Sequence, residues 1–180
     1  MKLYQYFYFA VIVVVLASCK SSNIPATTPN VTALATPSPK TITLDKNFKI
    51  ATGQIIYVPV YSHIYHHNRR EIFNLAVTLS IRNTDLTNSL IVTSVRYYDS
   101  DGKLVKQYLE RPIQLDALAS YDFFVNRNDS SGGLGANFIV EWVAQTKISE
   151  PIVEAVMIGT DYQQGISFIS PGRVIKSQKN

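Results

Sequence analysis

The run "IFNLAVTLSIRN", residues 72–83, alternates between large apolar and smaller or polar side chains. Phe73, Leu75, Val77, Leu79 and Ile81 fall on one side, and Asn74, Ala76, Thr78, Ser80 and Arg82 on the other. Successive side chains of an extended chain point to opposite faces, so this period of two predicts a strand with one face buried. A helix would scatter the five large residues around its circumference.

Outward from this run the same pattern returns in "GQIIYVPV", "SLIVTSVRYYD", "KLVKQYL", "YDFFVNR", "NFIVEWVAQ", "PIVEAVMIG" and "GISFIS". Turn residues separate the runs, and "DSDGK", residues 99–103, reads as an Asp-Gly hairpin joining two strands. About eight or nine short strands without helical periodicity predict an all-β fold, an antiparallel β-sandwich with an immunoglobulin-like arrangement as first choice. The sandwich is assigned to residues 41–175 as a single domain, with 176–180 as a C-terminal tail. Trp142, the only tryptophan, shares a strand face with Phe138 and Val140 and is expected in the core. No cysteine pair flanks it, so the disulfide of antibody domains is absent.

The runs "YVPVYSHIY", "NLAVTLSIRNTD", "VTSVRYYDSDGKLV", "SGGLGANFIVEW" and "EAVMIGT" resemble a bacterial family designated domain of unknown function 3124, over residues 53–175. The resemblance implies no activity, because the family has none assigned.

The chain opens "MKLYQYFYFAVIVVVLASC": one Lys, then a charge-free apolar run of 16 residues from Leu3 to Ser18. That layout reads as a signal peptide over residues 1–18, shorter than the roughly 20 apolar residues that a membrane-spanning helix needs. Leu16, Ala17, Ser18 and Cys19 match the lipobox of bacterial lipoproteins. Cys19 is the only cysteine and has no disulfide partner, which leaves lipidation as its expected role. The similarity to lipoproteins implies a diacylglycerol on the thiol and usually an acyl chain on the amine. Two or more chains anchor stably where one holds only marginally. The expected location is the bacterial cell envelope, with the membrane bound through Cys19. Lys20 stands where an inner-membrane retention Asp would be, so the outer membrane facing the periplasm is favoured. Residues 19–40 combine the lipidated Cys with a linker in which 16 of the 21 residues from Lys20 to Lys40 are Ser, Thr, Pro, Ala or Asn. Such a composition has too few large apolar side chains to fold and reads as a disordered tether.

The net charge of +4 is mild, and the longest basic run is the pair Arg69, Arg70, so nucleic acid is not an expected partner. All three histidines fall in "YSHIYHHNRR", residues 61–70. On an extended chain His63 and His67 would lie about 13 Å apart and His66 would face the opposite way, so no ion could be shared. In a helical turn the three would converge, and with Glu71 they could hold Zn or Cu. Local preference favours an extended start that breaks into a loop near Asn68. Cofactors are therefore expected to be none, with Zn or Cu at His63, His66, His67 and Glu71 as the alternative.

Other constellations read as structural. "SGGLGAN" lacks the Lys-Ser/Thr of a phosphate loop and leads into a strand, and "DSDG" lacks the later ligands of a calcium loop. Glu141, Glu154, Arg82 and Arg96 sit mid-strand, where cross-strand ion pairs account for them. No GxSxG elbow is present. The chain is thus read as non-enzymatic, metal-dependent chemistry at the histidines being the exception. The expected function is that of a tethered module binding or scaffolding an envelope protein or glycan, with Tyr57, Tyr61, Tyr65, Tyr97 and Tyr98 as a contact surface. A periplasmic module that handles Zn or Cu is the alternative.

Overall fold

The structure, a computed structural model, describes residues 39–45, 47–161 and 164–179. The leader, Cys19 and the linker as far as residue 38 lie outside the described residues. Thirteen strands and no helix occur among the described residues. They are β1 (Lys40–Thr41), β2 (Thr52–Pro59), β3 (His63–Tyr65), β4 (Ile72–Asn74), β5 (Ala76–Arg82), β6 (Leu90–Tyr98), β7 (Leu104–Gln107), β8 (Ile113–Leu115), β9 (Ser120–Val125), β10 (Asn137–Ala144), β11 (Ile152–Asp161), β12 (Gln164–Pro171) and β13 (Arg173–Lys179).

All pairings are antiparallel. The larger sheet runs β1-β8-β6-β10-β2-β13, with β7 pairing the far end of β6, and the second runs β12-β11-β5-β9. The fold is an all-β sandwich, as the alternation predicts. Phe73, Leu75, Val77, Leu79 and Ile81 are all buried and meet Val58, Val95, Phe138, Val140 and Trp142 of the larger sheet in one core. Full burial of each such side chain contributes roughly 1.5–3 kcal/mol.

Three features depart from the sequence reading. The run at residues 72–83 is two strands: β4 pairs with β3, whereas β5 pairs with β9 and β11. The chain changes partners at Leu75, whose N–H donates to the Ser62 carbonyl at 2.9 Å, while its side chain stays in the core. Second, β13 continues the larger sheet past Ile175 to Lys179, paired with β2. As an edge strand exposed along residues 173–178 it needs no apolar alternation, and its basic residues and its bulge between Val174 and Lys176 suit an unpaired edge. Third, β12 and β13 are separated only by Gly172, so one stretch of chain edges the second sheet and then the larger one.

The expected Asp-Gly hairpin joins β6 to β7, with Gly102 at a φ of 75° and the Asp99 carboxylate accepting the N–H groups of Asp101 and Lys103. The expected ion pairs also form. Arg82 lies 3.5 Å from Glu154 across β5 and β11, and Arg96 pairs with Glu141 across β6 and β10. Both carboxylates are thereby occupied by cations on the outer faces of the sheets.

The two ends of the larger sheet differ in what they carry. The chain enters at Lys40, which the register places in a row with Gln114, Ile91, Val143 and Gly53. The β3–β4 hairpin leaves from the other end, beyond the row of Tyr98, Asn137 and Pro59. The two rows lie six residues apart along β2, from Gly53 to Pro59, about 20 Å at the usual rise.

Candidate functional site

Antiparallel pairing in the hairpin sets His63 opposite Asn74, Ile64 opposite Phe73 and Tyr65 opposite Ile72. Beyond Tyr65 the His66 N–H still donates to the Glu71 carbonyl at 3.0 Å, and then the chain reverses. Asn68 closes that reversal. Its side-chain oxygen accepts the N–H groups of Arg70 at 2.8 Å and Glu71 at 3.1 Å, and its amide donates to the Glu71 carboxylate at 2.8 Å. Asn suits such a turn because its short polar side chain can stand in for backbone partners.

The histidines take three different surroundings. His63 is half-buried on β3, with Nδ1 3.4 Å from Ser62 Oγ. His66 is exposed, with its ring stacked on Phe73 at 5.9 Å between centroids. His67 is exposed in the reversal. The chain is extended over His63–Tyr65, and the turn that would have gathered the imidazoles is not made there. Glu71 is engaged by Asn68, and among the described residues no three His, Cys, Asp or Glu side chains are gathered to hold an ion.

What the hairpin does build is a groove of about 420 Å³ against the β11–β12 hairpin. Ile64, Tyr65, His66 and Phe73 form one wall, and Asp161, Gln164 and Ile166 the other. Phe73 is nine-tenths buried and lies against Gly159, where any Cβ would overlap its ring edge. The bare backbone of β11 at that point lets the hairpin settle on the second sheet. Arg127, from the loop after β9, brings its guanidinium 6.0 Å from the centroid of the same Phe73 ring, a cation–π distance. Aromatic rings, an amide and a carboxylate thus line the groove, with one guanidinium over its Phe73 wall.

The five tyrosines do not form one surface. Tyr65 lines the groove, while Tyr61 packs edge-on against Phe168 at 6.2 Å. Tyr57 and Tyr98 are half-buried on the outer face of the larger sheet, where Arg96 lies 5.9 Å from the Tyr98 ring. Tyr97 corrects the expectation: it is 1% exposed and packs on Phe138 at 4.9 Å in the core. The alternation that turns Tyr98 outward necessarily turns Tyr97 inward.

The Tyr97 hydroxyl is buried without a hydrogen-bond partner. It abuts Gly132 of the "SGGLGAN" segment, where any side chain would overlap it. That segment is a connecting loop, fastened by Ser100 N–H and Oγ on the Gly132 carbonyl and by Ser62 Oγ at 3.2 Å from the Gly133 carbonyl. Burial, helped by the nearby Asp129 and Tyr108, pushes the Tyr97 phenol above its ordinary range, against a smaller opposing pull from the neighbouring Ser62 hydroxyl, which makes no hydrogen bond of good geometry with it. An unpaired buried hydroxyl costs stability, so Tyr97→Phe is expected to leave the unfolding free energy unchanged or raise it by about 1 kcal/mol. Urea unfolding checks this, and a loss of stability would show that the hydroxyl has a partner in solution.

A second groove lies near the chain entry, between Pro39, Thr41, Tyr108, Glu110, Arg111 and Tyr121. Burial first, and Asp129 second, push the Tyr108 phenol up to about 12, so it remains a neutral hydrogen-bond donor. It donates to the Phe124 carbonyl at 3.0 Å. Of the residues that shape the main groove, sequence reasoning singled out only Tyr65 and His66 as candidate contacts. Phe73 carries the alternation of a core residue, and Asp161 and Gln164 carry no local motif.

Comparison with known proteins bears on identity more than on the site. The profile of a family described as "Protein of unknown function (DUF3124)" matches residues 53–175. Comparison with curated proteins gives no match. Among solved structures, the chain is similar to one titled "Crystal Structure of Thermotoga maritima 1070", at 12% identity and a TM-score of 0.41, over 67% of this chain and 92% of that one.

Proposed function

For a chain that belongs to the DUF3124 family of proteins of unknown function, we propose a lipid-anchored, non-catalytic role in the bacterial envelope, in which the sandwich binds another envelope component. The single observation that carries this is "LASC" at residues 16–19: a sole cysteine placed where a short apolar run ends and a Ser/Thr/Pro-rich stretch begins. The polarity of the domain supports it. The linker joins at the Lys40 end of the larger sheet, and the groove and the exposed hairpin stand at the opposite end. A tether at one end leaves the other free to meet a partner. Lys20 after the cysteine favours the outer membrane, facing the periplasm.

The test is Cys19→Ser, expressed in a bacterium that matures lipoproteins and fed an alkyne-tagged fatty acid. The wild-type chain should take up the tag and sediment with membranes, and the variant should lose the tag completely. An untagged wild-type chain, or a variant that stays tagged, would sink the anchor. Crosslinking of the wild-type chain in intact cells then asks for the partner.

A further inference from the structure

We propose that the β3–β4 hairpin and its groove form a binding site for an acidic polysaccharide. This deepens the reading of the domain as an envelope-binding module and rests on it. The charge is concentrated at the tip. Arg69 and Arg70 stand beside His66 and His67 on an exposed reversal whose one acid, Glu71, is held by the Asn68 amide. Neither arginine is in an ion pair among the described residues, whereas Arg82 and Arg96, mid-strand, are both paired. Two adjacent unpaired arginines attract anions, and a third, Arg127 from a second loop, lies over the Phe73 ring of the same hairpin.

Charge alone would fit any anion, and the groove narrows the class. It is recessed, with the exposed ring of Tyr65 on one side, where His66 covers the buried Phe73, and the hydrogen-bonding side chains Gln164 and Asp161 on the other. A pyranose ring offers the matching pair of features: a C–H face to lie on an aromatic ring, and hydroxyls for an amide and a carboxylate. A volume of about 420 Å³ suits a small ligand unit. A chain of such rings bearing carboxylates would place one ring in the groove and neighbouring charges over Arg69 and Arg70. A bilayer surface would use the charge and leave the recess empty. A peptide of acidic residues offers neither a C–H ring face for Tyr65 nor hydroxyls to donate to Asp161.

The experiment uses the mature lipidated chain in a neutral detergent, with polygalacturonate immobilised as the probe and dextran as the uncharged control. Binding to polygalacturonate and none to dextran is expected. Arg69→Ala with Arg70→Ala should weaken binding by about tenfold and flatten its dependence on salt. Tyr65→Ala should weaken it severalfold with the salt dependence unchanged. These side chains are exposed, so an unaltered melting temperature excludes misfolding as the cause. Poly-glutamate and glycerol phosphate serve as soluble competitors for an acidic peptide and a lipid headgroup. If either displaces the chain as well as oligogalacturonate of equal charge, the site reads charge only and the proposal falls. It falls equally if polygalacturonate does not bind, or binds the arginine variant unchanged. None of these results touches the anchor, which the Cys19→Ser labelling tests separately.

Discussion

Trp142→Ala is expected to lower the unfolding free energy by roughly 3–5 kcal/mol, the usual cost of emptying an aromatic site in a core. That is a large part of the 5–15 kcal/mol that typically holds a domain folded. Trp142 is 1% exposed and lies on the inner face of β10 with Phe138 and Val140. The β6–β10 ladder shifts register between Glu141 and Trp142, so an irregularity of the sheet lies beside the indole. The substitution also strands a polar group. Trp142 Nε1 donates to Gln54 Oε1 at 3.3 Å, and Gln54 is itself buried. Trp142→Phe should therefore cost less than Ala but more than its volume alone, since Gln54 is left without its donor. Adding Gln54→Leu to Trp142→Phe should recover part of that loss. Circular dichroism in urea measures all four chains, since the only tryptophan is the residue removed. A Trp142→Ala variant as stable as wild type would mean that the two sheets do not pack as described.

How much of this was legible in sequence depends on whether an element answers to its own side chains or to distant ones. The inward row Phe73, Leu75, Val77, Leu79 and Ile81 was readable because burial of one face imposes period two whatever the partner strand. The same fact hid the break at Leu75, since the alternation continues through a change of partners. In β6 the inward residues are Leu90, Val92, Val95 and Tyr97, and the step from 92 to 95 reflects the irregularity against β10. Parity counted from either end therefore disagrees, and Tyr97 and Tyr98 could not be told apart by neighbourhood in sequence. The histidine segment was readable as a conditional, extended or turned, and the pairing of β3 with β4 decides for extended over His63–Tyr65. The groove was not readable at all. Its walls come from Ile64, Tyr65, His66 and Phe73 and from Asp161, Gln164 and Ile166, and only the sandwich brings them together.

Asp85→Asn is expected to give the second large effect, and it carries a pH signature. Asp85 ties three loops together at the chain-entry end, two of them through its carboxylate. One oxygen accepts the N–H of Thr87 at 3.0 Å and of Asn88 at 2.8 Å, together with the Thr87 hydroxyl and the Asn88 amide. The other accepts the Ser149 N–H at 3.1 Å from the loop after β10. Its own backbone continues the web: its N–H donates to Asn83 Oδ1, its carbonyl accepts from Leu118, and the Asn83 amide reaches the carbonyls of Asn88, Leu115 and Asp116. The backbone N–H groups of Thr87, Asn88 and Ser149 hold the Asp85 carboxyl far below the usual carboxylate range, against the opposing pull of desolvation. A depressed folded-state value means that ionised Asp85 stabilises the fold fully above its unfolded value near 3.8, and that this stabilisation is lost as pH falls through the range below it. Asparagine keeps one acceptor but turns an NH₂ toward the Ser149 N–H, setting donor against donor. The variant should therefore melt several degrees below wild type at pH 7, with the gap closing as pH falls below about 4. Asp85→Ala, which removes both carboxylate oxygens, should melt lower still. Melting curves between pH 2 and 7 measure both. A gap that stays constant across that range would show that the carboxylate's charge contributes nothing, and that only the shape of the side chain holds the loops.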